Sequence, residues 1–304
     1  MEKKPTLSGV LVIDKPAGPT SFEVASRVKR ALRAEKAGHT GTLDPRATGV
    51  LAVCVGDGVK LQQFLAGGDK EYQAIVAFGA ATVTQDAEGA VTERGDPSRL
   101  DAGAIRAALG RFRGEIEQVP PMFSAVRVGG RRLHEAARAG EEVGRAPRRV
   151  VVHELELKEL VPLSSPEDGL VRACISVRCG KGTYVRTLAA DLGSVLGVPA
   201  HLAELRRTAA GPFTLADAML LEEVERLARS DRSTLLARLL PIVEALRGWP
   251  TIHLGPAQAR DLGHGMKLDI PGAPEGLCRA IDPEGRLLAV CESRACVVRP
   301  VRVL

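Results

Sequence analysis

Twelve consecutive residues bring glycines together with side chains of several chemistries: Gly38-His39-Thr40-Gly41-Thr42-Leu43-Asp44-Pro45-Arg46-Ala47-Thr48-Gly49. One carboxylate, Asp44, stands there among a histidine, an arginine and three threonines. Three glycines let the backbone approach a ligand closely. An isolated Asp-Pro is a common turn signal. In this company, a carboxylate without metal-binding companions suits a nucleophile or a general base. It does not suit a two-metal site.

Several other chemistries lose ground. Gly180-Lys181-Gly182 has neither the upstream glycine spacing nor the Ser/Thr of a phosphate-binding P-loop, and no G-x-G-x-x-G follows a strand. There is no G-x-S-x-G elbow and no H-E-x-x-H, and the six cysteines include no C-x-x-C pair. No metal and no cofactor is expected. Cysteines so spaced in a chain of this length fit a reducing cytoplasm better than a disulfide framework.

A frame must position the Asp44 loop. Gly9–Ile13 is a continuous apolar run, as in a buried strand. After the turn Asp14–Pro19, Thr20 and Glu23 have capping-box spacing. Phe22, Ala25, Val28 and Leu32 then predict a helix that Gly38 ends. Val50–Val55 reads as a second apolar strand. Tyr72, Ala74, Val76 and Phe78 alternate as a half-buried strand, as do the odd residues from Val171 to Cys179. Asp101 caps a helix through Leu109. Residues 150–160 are strand-like, 184–196 helical, and two leucine-rich helices are predicted over roughly 215–246.

At roughly 150 residues per domain, 304 residues suggest two domains. The texture changes after Gly248-Trp249-Pro250, where short apolar pieces and Gly/Pro turns predict a small β unit. The fold class is α+β, with no regular βαβ alternation. No apolar run approaches the ~18–20 residues that cross a bilayer, and no signal-peptide core follows Met1. The net charge of +5 only mildly favours a polyanionic partner. Its location says more: Arg127, Arg131, Arg132, Arg138, Arg145, Arg148 and Arg149 crowd one stretch. They make either a solvated surface loop or an arm whose guanidinium groups contact phosphates.

The loop around Asp44, continued through Val50-Leu51, resembles the catalytic motif of the TruB-type tRNA pseudouridine-55 synthases. Further segments resemble that family in the same order. They are Gly9–Ser21, Lys70-Glu71-Tyr72, Val119–Ala125, Lys181–Leu188 and Leu205-Arg206-Arg207-Thr208. The resemblance covers about residues 9–245; the tail from about 250, with Gly255-Pro256 and Gly263-His264-Gly265, more loosely resembles a PUA-like RNA-binding domain. It implies a pseudouridine synthase fold with a mixed, mainly antiparallel central sheet flanked by helices and loops. The catalytic domain would be residues 1–247, with an RNA-contacting insertion at about 120–150, and the PUA-like domain residues 248–304.

By the same resemblance, Asp44 is the essential aspartate and Arg186 its cationic partner, able to reverse the rise in pKa that burial causes. Tyr72 would stack on the flipped uracil, Tyr184 would sit near the base and Asp44, and Leu205 would wall the pocket. His39 would hold the RNA where the base leaves its stack, and Lys60 would support the pocket. Arg127, Arg131, Arg132, Arg148 and Arg149 would contact the RNA backbone. The implied activity is isomerisation of uridine 55 in the T-arm of tRNA, by a monomer without an obligatory protein partner. A guide-RNA-directed subunit and a tRNA-binding folding helper are the alternatives. Three positions depart from the common pattern: Arg127 and His134, where many relatives carry lysine and tyrosine, and Val83, where relatives often carry aspartate.

Overall fold

The computed structural model describes residues 7–124, 127–141, 143–161 and 169–304; for Arg127, Val128, Arg132, His134, Arg138 and Val161 it describes the backbone alone. Its largest sheet has ten strands. Four of them, with one helix, frame the Asp44 loop: β1 (Gly9–Lys15), α1 (Ser21–Leu32), β2 (Ala37–His39), β3 (Thr48–Val55) and β4 (Lys70–Phe78). Across the sheet the order is Met219–Leu220, β1, β3, Ala200–Ala210, β4, Val171–Cys179, Arg148–Val161 and Gly114–Gln118. Phe213–Thr214 and β2 pair off this path. Two pairings are parallel, Met219–Leu220 with β1 and Ala200–Ala210 with β3; the others are antiparallel. This is the mixed, mainly antiparallel sheet expected.

The apolar runs in β1 and β3 arise because both faces of the sheet are covered there. Leu11, Ile13, Leu51 and Val53 pack under α1 and the helix Leu221–Ser230. Val10, Val12, Val50, Ala52 and Cys54 pack on the other face, against Phe213, Ala245 and Leu246. Along Val171–Cys179 the odd residues are buried and the even ones more open, so the alternation translates directly into one core face. That face meets the helices Ala102–Gly110 and Val185–Leu196.

The start of α1 differs from the expected pattern. Thr20 and Glu23 do close a capping box. Its buried stripe runs Ser21, Val24, Ala25, Val28 and Leu32, so Ala25, Val28 and Leu32 face inward as expected, whereas Phe22 stands 75% exposed. The helix also stops before Gly38. Arg33 takes a left-handed conformation, φ 52°, and its N–H caps the Arg30 carbonyl, freeing residues 37–39 to pair with β3. The region 215–246 holds Leu221–Ser230 and a shorter helix, Arg232–Ala237, flanked by single 3₁₀ turns.

Residues 251–303 form a five-stranded sheet in the order Thr251–His253, Gly276–Ile281, Leu287–Arg294, Val297–Val303 and Leu268–Asp269, with the helix Pro256–Gly263 beside it. Leu287 and Val290 of this sheet share a buried cluster with β1 and β3, which joins the two sheets.

Candidate active site

Strand order brings the expected site residues together. The strand Ala200–Ala210 lies between β3 and β4, with Arg207 opposite Gly49 on one side and Tyr72 on the other. Leu205 is opposite Ala74. The end of the Asp44 loop, the apolar side chain and the aromatic therefore occupy three neighbouring strands. Gly49 is required there. Its φ is +101°, and a Cβ would lie 2.1 Å from the Arg207 carbonyl oxygen.

The loop itself is held by its carbonyls. Ser21 Oγ donates to the Leu43 carbonyl at 3.0 Å and accepts from the Leu43 N–H at 2.8 Å. Lys15, fully buried, donates from Nζ to the carbonyls of Pro16, Pro45 and Ala47 at 2.9, 2.8 and 2.7 Å. Burial pushes its ammonium down to about 8, against the pull of Asp44. From beneath, Arg207 donates to the carbonyls of Val50, Gly41 and Thr42 at 2.7, 3.0 and 3.5 Å.

Arg186 enters from the first turn of the helix Val185–Leu196, with its side chain 6% exposed. Its Nε lies 2.9 Å from Asp44 Oδ2 and its Nη2 3.4 Å from Oδ1, so the guanidinium fork meets the carboxylate edge-on. The remaining donors reach the carbonyls of Phe123 at 2.9 Å and Thr84 at 3.2 Å, and Asp86 Oδ2 at 3.4 Å. Asp44 keeps 40% of its side chain open although protein atoms crowd it. Burial raises its pKa above the ordinary aspartate value, Arg186 and Lys15 pull it down, and the Asp86 charge pushes it up. Arg186 thus moderates the rise and does not reverse it, because desolvation outweighs the ion pair here.

Asp44 and Arg186 open onto a cavity of about 440 Å³, also lined by Asp86, Leu205 and Arg206 among others. Its size falls within the range of small-ligand sites. Arg206 is braced by Asp14 at 2.7 Å. Tyr72 is half-buried and lies outside the cavity lining. Burial raises the phenol's pKa, opposed by the charge of the nearby Arg207 guanidinium. His39 also stands outside the lining. Its carbonyl accepts from Gln62 at 2.8 Å, its Nδ1 is buried without a hydrogen-bond partner, and burial with the Arg207 charge lowers its pKa. Tyr184 is half-buried and precedes the same helix as Arg186, its backbone fixed by Gln118 at 3.0 and 3.2 Å.

Lys60 does not join the site. It follows the far end of β3, beside the start of the loop at Gly38–His39, and the eight residues of β3 at ~3.3 Å each separate it from the Asp44 end. It pairs there with Asp57 at 3.0 Å and lines a different groove with Arg33, Lys36 and Arg302. The lysine beside Asp44 is Lys15. Of the arginine arm, Arg131 and Arg149 are exposed and paired, with Glu141 at 2.9 Å and Glu115 at 3.2 Å, and Arg148 is exposed on its strand. Arg127 and Arg132 belong to a short hairpin, but their side chains, like that of His134, lie outside the described residues. Sequence reasoning gave no role to Lys15, Asp86, Arg206 or Arg207. Lys15, Arg206 and Arg207 fall inside the matched motifs, which was the available signal. Among the described residues, no group of three His, Cys, Asp or Glu side chains is arranged to hold a metal.

Three family models match the chain in succession. They are the TruB family pseudouridylate synthase N-terminal domain over residues 29–185, the tRNA pseudouridylate synthase B C-terminal domain over 186–247, and the tRNA pseudouridine synthase II C-terminal domain over 249–304. A protein of Symbiobacterium thermophilum named tRNA pseudouridine synthase B is 50% identical over 260 residues, 86% of this chain and 83% of that one. A protein of the same name from Stutzerimonas stutzeri is 44% identical over 288 residues, 94% and 92% of the two chains. Among solved structures, a Cbf5-Nop10-Gar1 complex superposes with a TM-score of 0.74 at 26% identity, covering 97% of this chain and 84% of that one. Fold and matches together define a pseudouridine synthase. The chain belongs to the TruB family and is an isomerase that acts on tRNA.

Proposed function

We propose that this enzyme converts uridine 55 in the T-arm of tRNA to pseudouridine, alone and without a cofactor, using Asp44 as the essential carboxylate. The observation that carries the reading is the Arg186–Asp44 pair at 2.9 Å, set at a cavity into which 40% of the aspartate remains open. The reaction breaks the C1′–N1 glycosidic bond, turns the uracil and joins its C5 to C1′, with loss of the C5 proton. Asp44 either attacks C1′ or takes the proton from C2′. Both routes need the carboxylate form that Arg186 and Lys15 favour. Arg186 also fixes the direction of the carboxylate.

The target base must leave its stack to meet Asp44, at a cost of a few kcal/mol. Stacking on the Tyr72 ring returns about 1–3 kcal/mol. Leu205 supplies an apolar wall, while Tyr184 and His39 steady the extruded nucleotide and its neighbours. Arg131, Arg148 and Arg149, with Arg127 and Arg132, hold the phosphate backbone. We assign residues 1–247 to catalysis and 248–304 to a PUA-like RNA-binding unit, a division supported by the change of family model between 247 and 249. The six free cysteines fit a cytoplasmic setting.

A guide-directed subunit is the second reading, favoured by the likeness to the Cbf5 complex. Identity of 44–50% with proteins named tRNA pseudouridine synthase B, against 26% with the Cbf5 structure, supports the stand-alone enzyme. The test is tritium release from an unmodified tRNA transcript labelled at uracil C5, with wild type and Asp44→Asn side by side. About one equivalent from wild type and none from the variant is expected. Tight binding without release by wild type would favour the guided subunit or a folding helper.

A further inference from the structure

We propose that Arg207 is a positioning residue for the isomerisation, a buried guanidinium that locks the Asp44 loop onto the strand paired beside Tyr72. This deepens the reading of Asp44 and Tyr72 above and rests on it.

Arg207 is 2% exposed and is among the largest fully buried side chains of the described residues. Burying a cation is costly unless its donors are satisfied, so a residue that only filled space here would be apolar. Its acceptors are main-chain oxygens: Val50 at 2.7 Å, Gly41 at 3.0 Å and Thr42 at 3.5 Å. Those three carbonyls bracket Asp44 in the chain. With Ser21 on Leu43 and Lys15 on Pro45 and Ala47, the backbone on both sides of the carboxylate is tied down. Lys15 and Ser21 hold the loop only. Arg207 alone among these three also stands directly opposite Tyr72 in the sheet.

The register ties the loop to the aromatic strand, because the Arg207 backbone faces Gly49 in β3 and Tyr72 in β4. Burial, and after it the guanidinium charge, lowers the pKa of His39 and of the neighbouring Lys70.

The test compares Arg207→Met, Arg207→Lys and Arg207→Ala with wild type and Asp44→Asn, on one C5-labelled transcript. Single-turnover release should fall ~10–100-fold in all three, the scale that a misplacement of about 1 Å produces. Affinity for tRNA should stay within about threefold. Lysine retains the charge but not the fork, so Arg207→Lys should remain at least about tenfold slow. Guanidinium ion below denaturing concentrations should restore much of the Arg207→Ala rate. A purely structural role would instead lower the melting temperature and leave the rate of the folded fraction unchanged. Wild-type release from folded Arg207→Met or Arg207→Lys, or no response of Arg207→Ala to guanidinium, overturns the proposal. Absence of release from wild type would instead strike the functional reading beneath it.

Discussion

Asp44 is surrounded by charges of both signs, and their balance decides the pH range in which it is a carboxylate. Its pKa is raised, chiefly by desolvation, so activity that needs the anion disappears as pH falls through a value above the ordinary aspartate range. Arg186 lowers that value and Asp86 raises it. Two opposite shifts follow. In Asp86→Asn the acid limb of the single-turnover rate should move to lower pH, and in Arg186→Gln the residual rate should show its limb at higher pH. A coincident limb in all three proteins would mean that some other group titrates. Geometry matters as well as charge. Arg186→Lys keeps a cation but cannot meet both carboxylate oxygens edge-on, and release should slow by about 100-fold with tRNA affinity little changed. A full rate from Arg186→Lys would leave Arg186 as a mere counter-charge.

At the scale of elements, the Asp44 loop is a device for ending one strand pairing and starting another. Gly49 makes it possible, since β3 and the strand Ala200–Ala210 approach too closely for any side chain there. Gly49→Ala combines a left-handed φ with a clash against backbone and should cost about 3 kcal/mol or more, read by urea denaturation. A loss below about 1 kcal/mol would show that the strand can move aside. Much of this frame was legible in the sequence. The alternation of Val171–Cys179 and the capping box at Thr20 became structure as they stood. Asp44, Arg186 and Leu205 share the cavity because long motifs fixed their places. What escaped depends on where chains cross. The left-handed turn at Arg33 ends α1 without a glycine to announce it. Lys60 resembles a site lysine, yet the length of β3 carries it away. Lys15 and Arg207 occupy strand positions where a charged residue ordinarily faces water. Only the loop carbonyls above them explain their burial.

For the whole molecule, the question is whether the two sheets act as one body, as the proposed docking of RNA on both requires. The arginine arm should make binding salt-dependent, and neutralising Arg148 and Arg149 together should lower the slope of log affinity against log salt by about 1–2. An unchanged slope would make that part of the arm a solvated surface. Force applied through phosphates is useful only if the sheets are coupled, and the core suggests that they are. Leu287 and Val290 from the smaller sheet are buried with Val10, Val12 and Ala52 from the larger one. Trp249, the sole tryptophan, packs at this junction, its ring edge-on to Phe64 with centroids 6.3 Å apart. Its fluorescence therefore reports the junction, while far-UV circular dichroism reports both sheets. The two signals should follow one urea transition, because neither sheet can open without exposing the shared cluster. Val290→Ala should shift both together by about 2 kcal/mol. Should the tryptophan signal change first, with the dichroism holding to higher urea, the smaller sheet would be an independent unit, and docking of RNA on it would not be transmitted to Asp44.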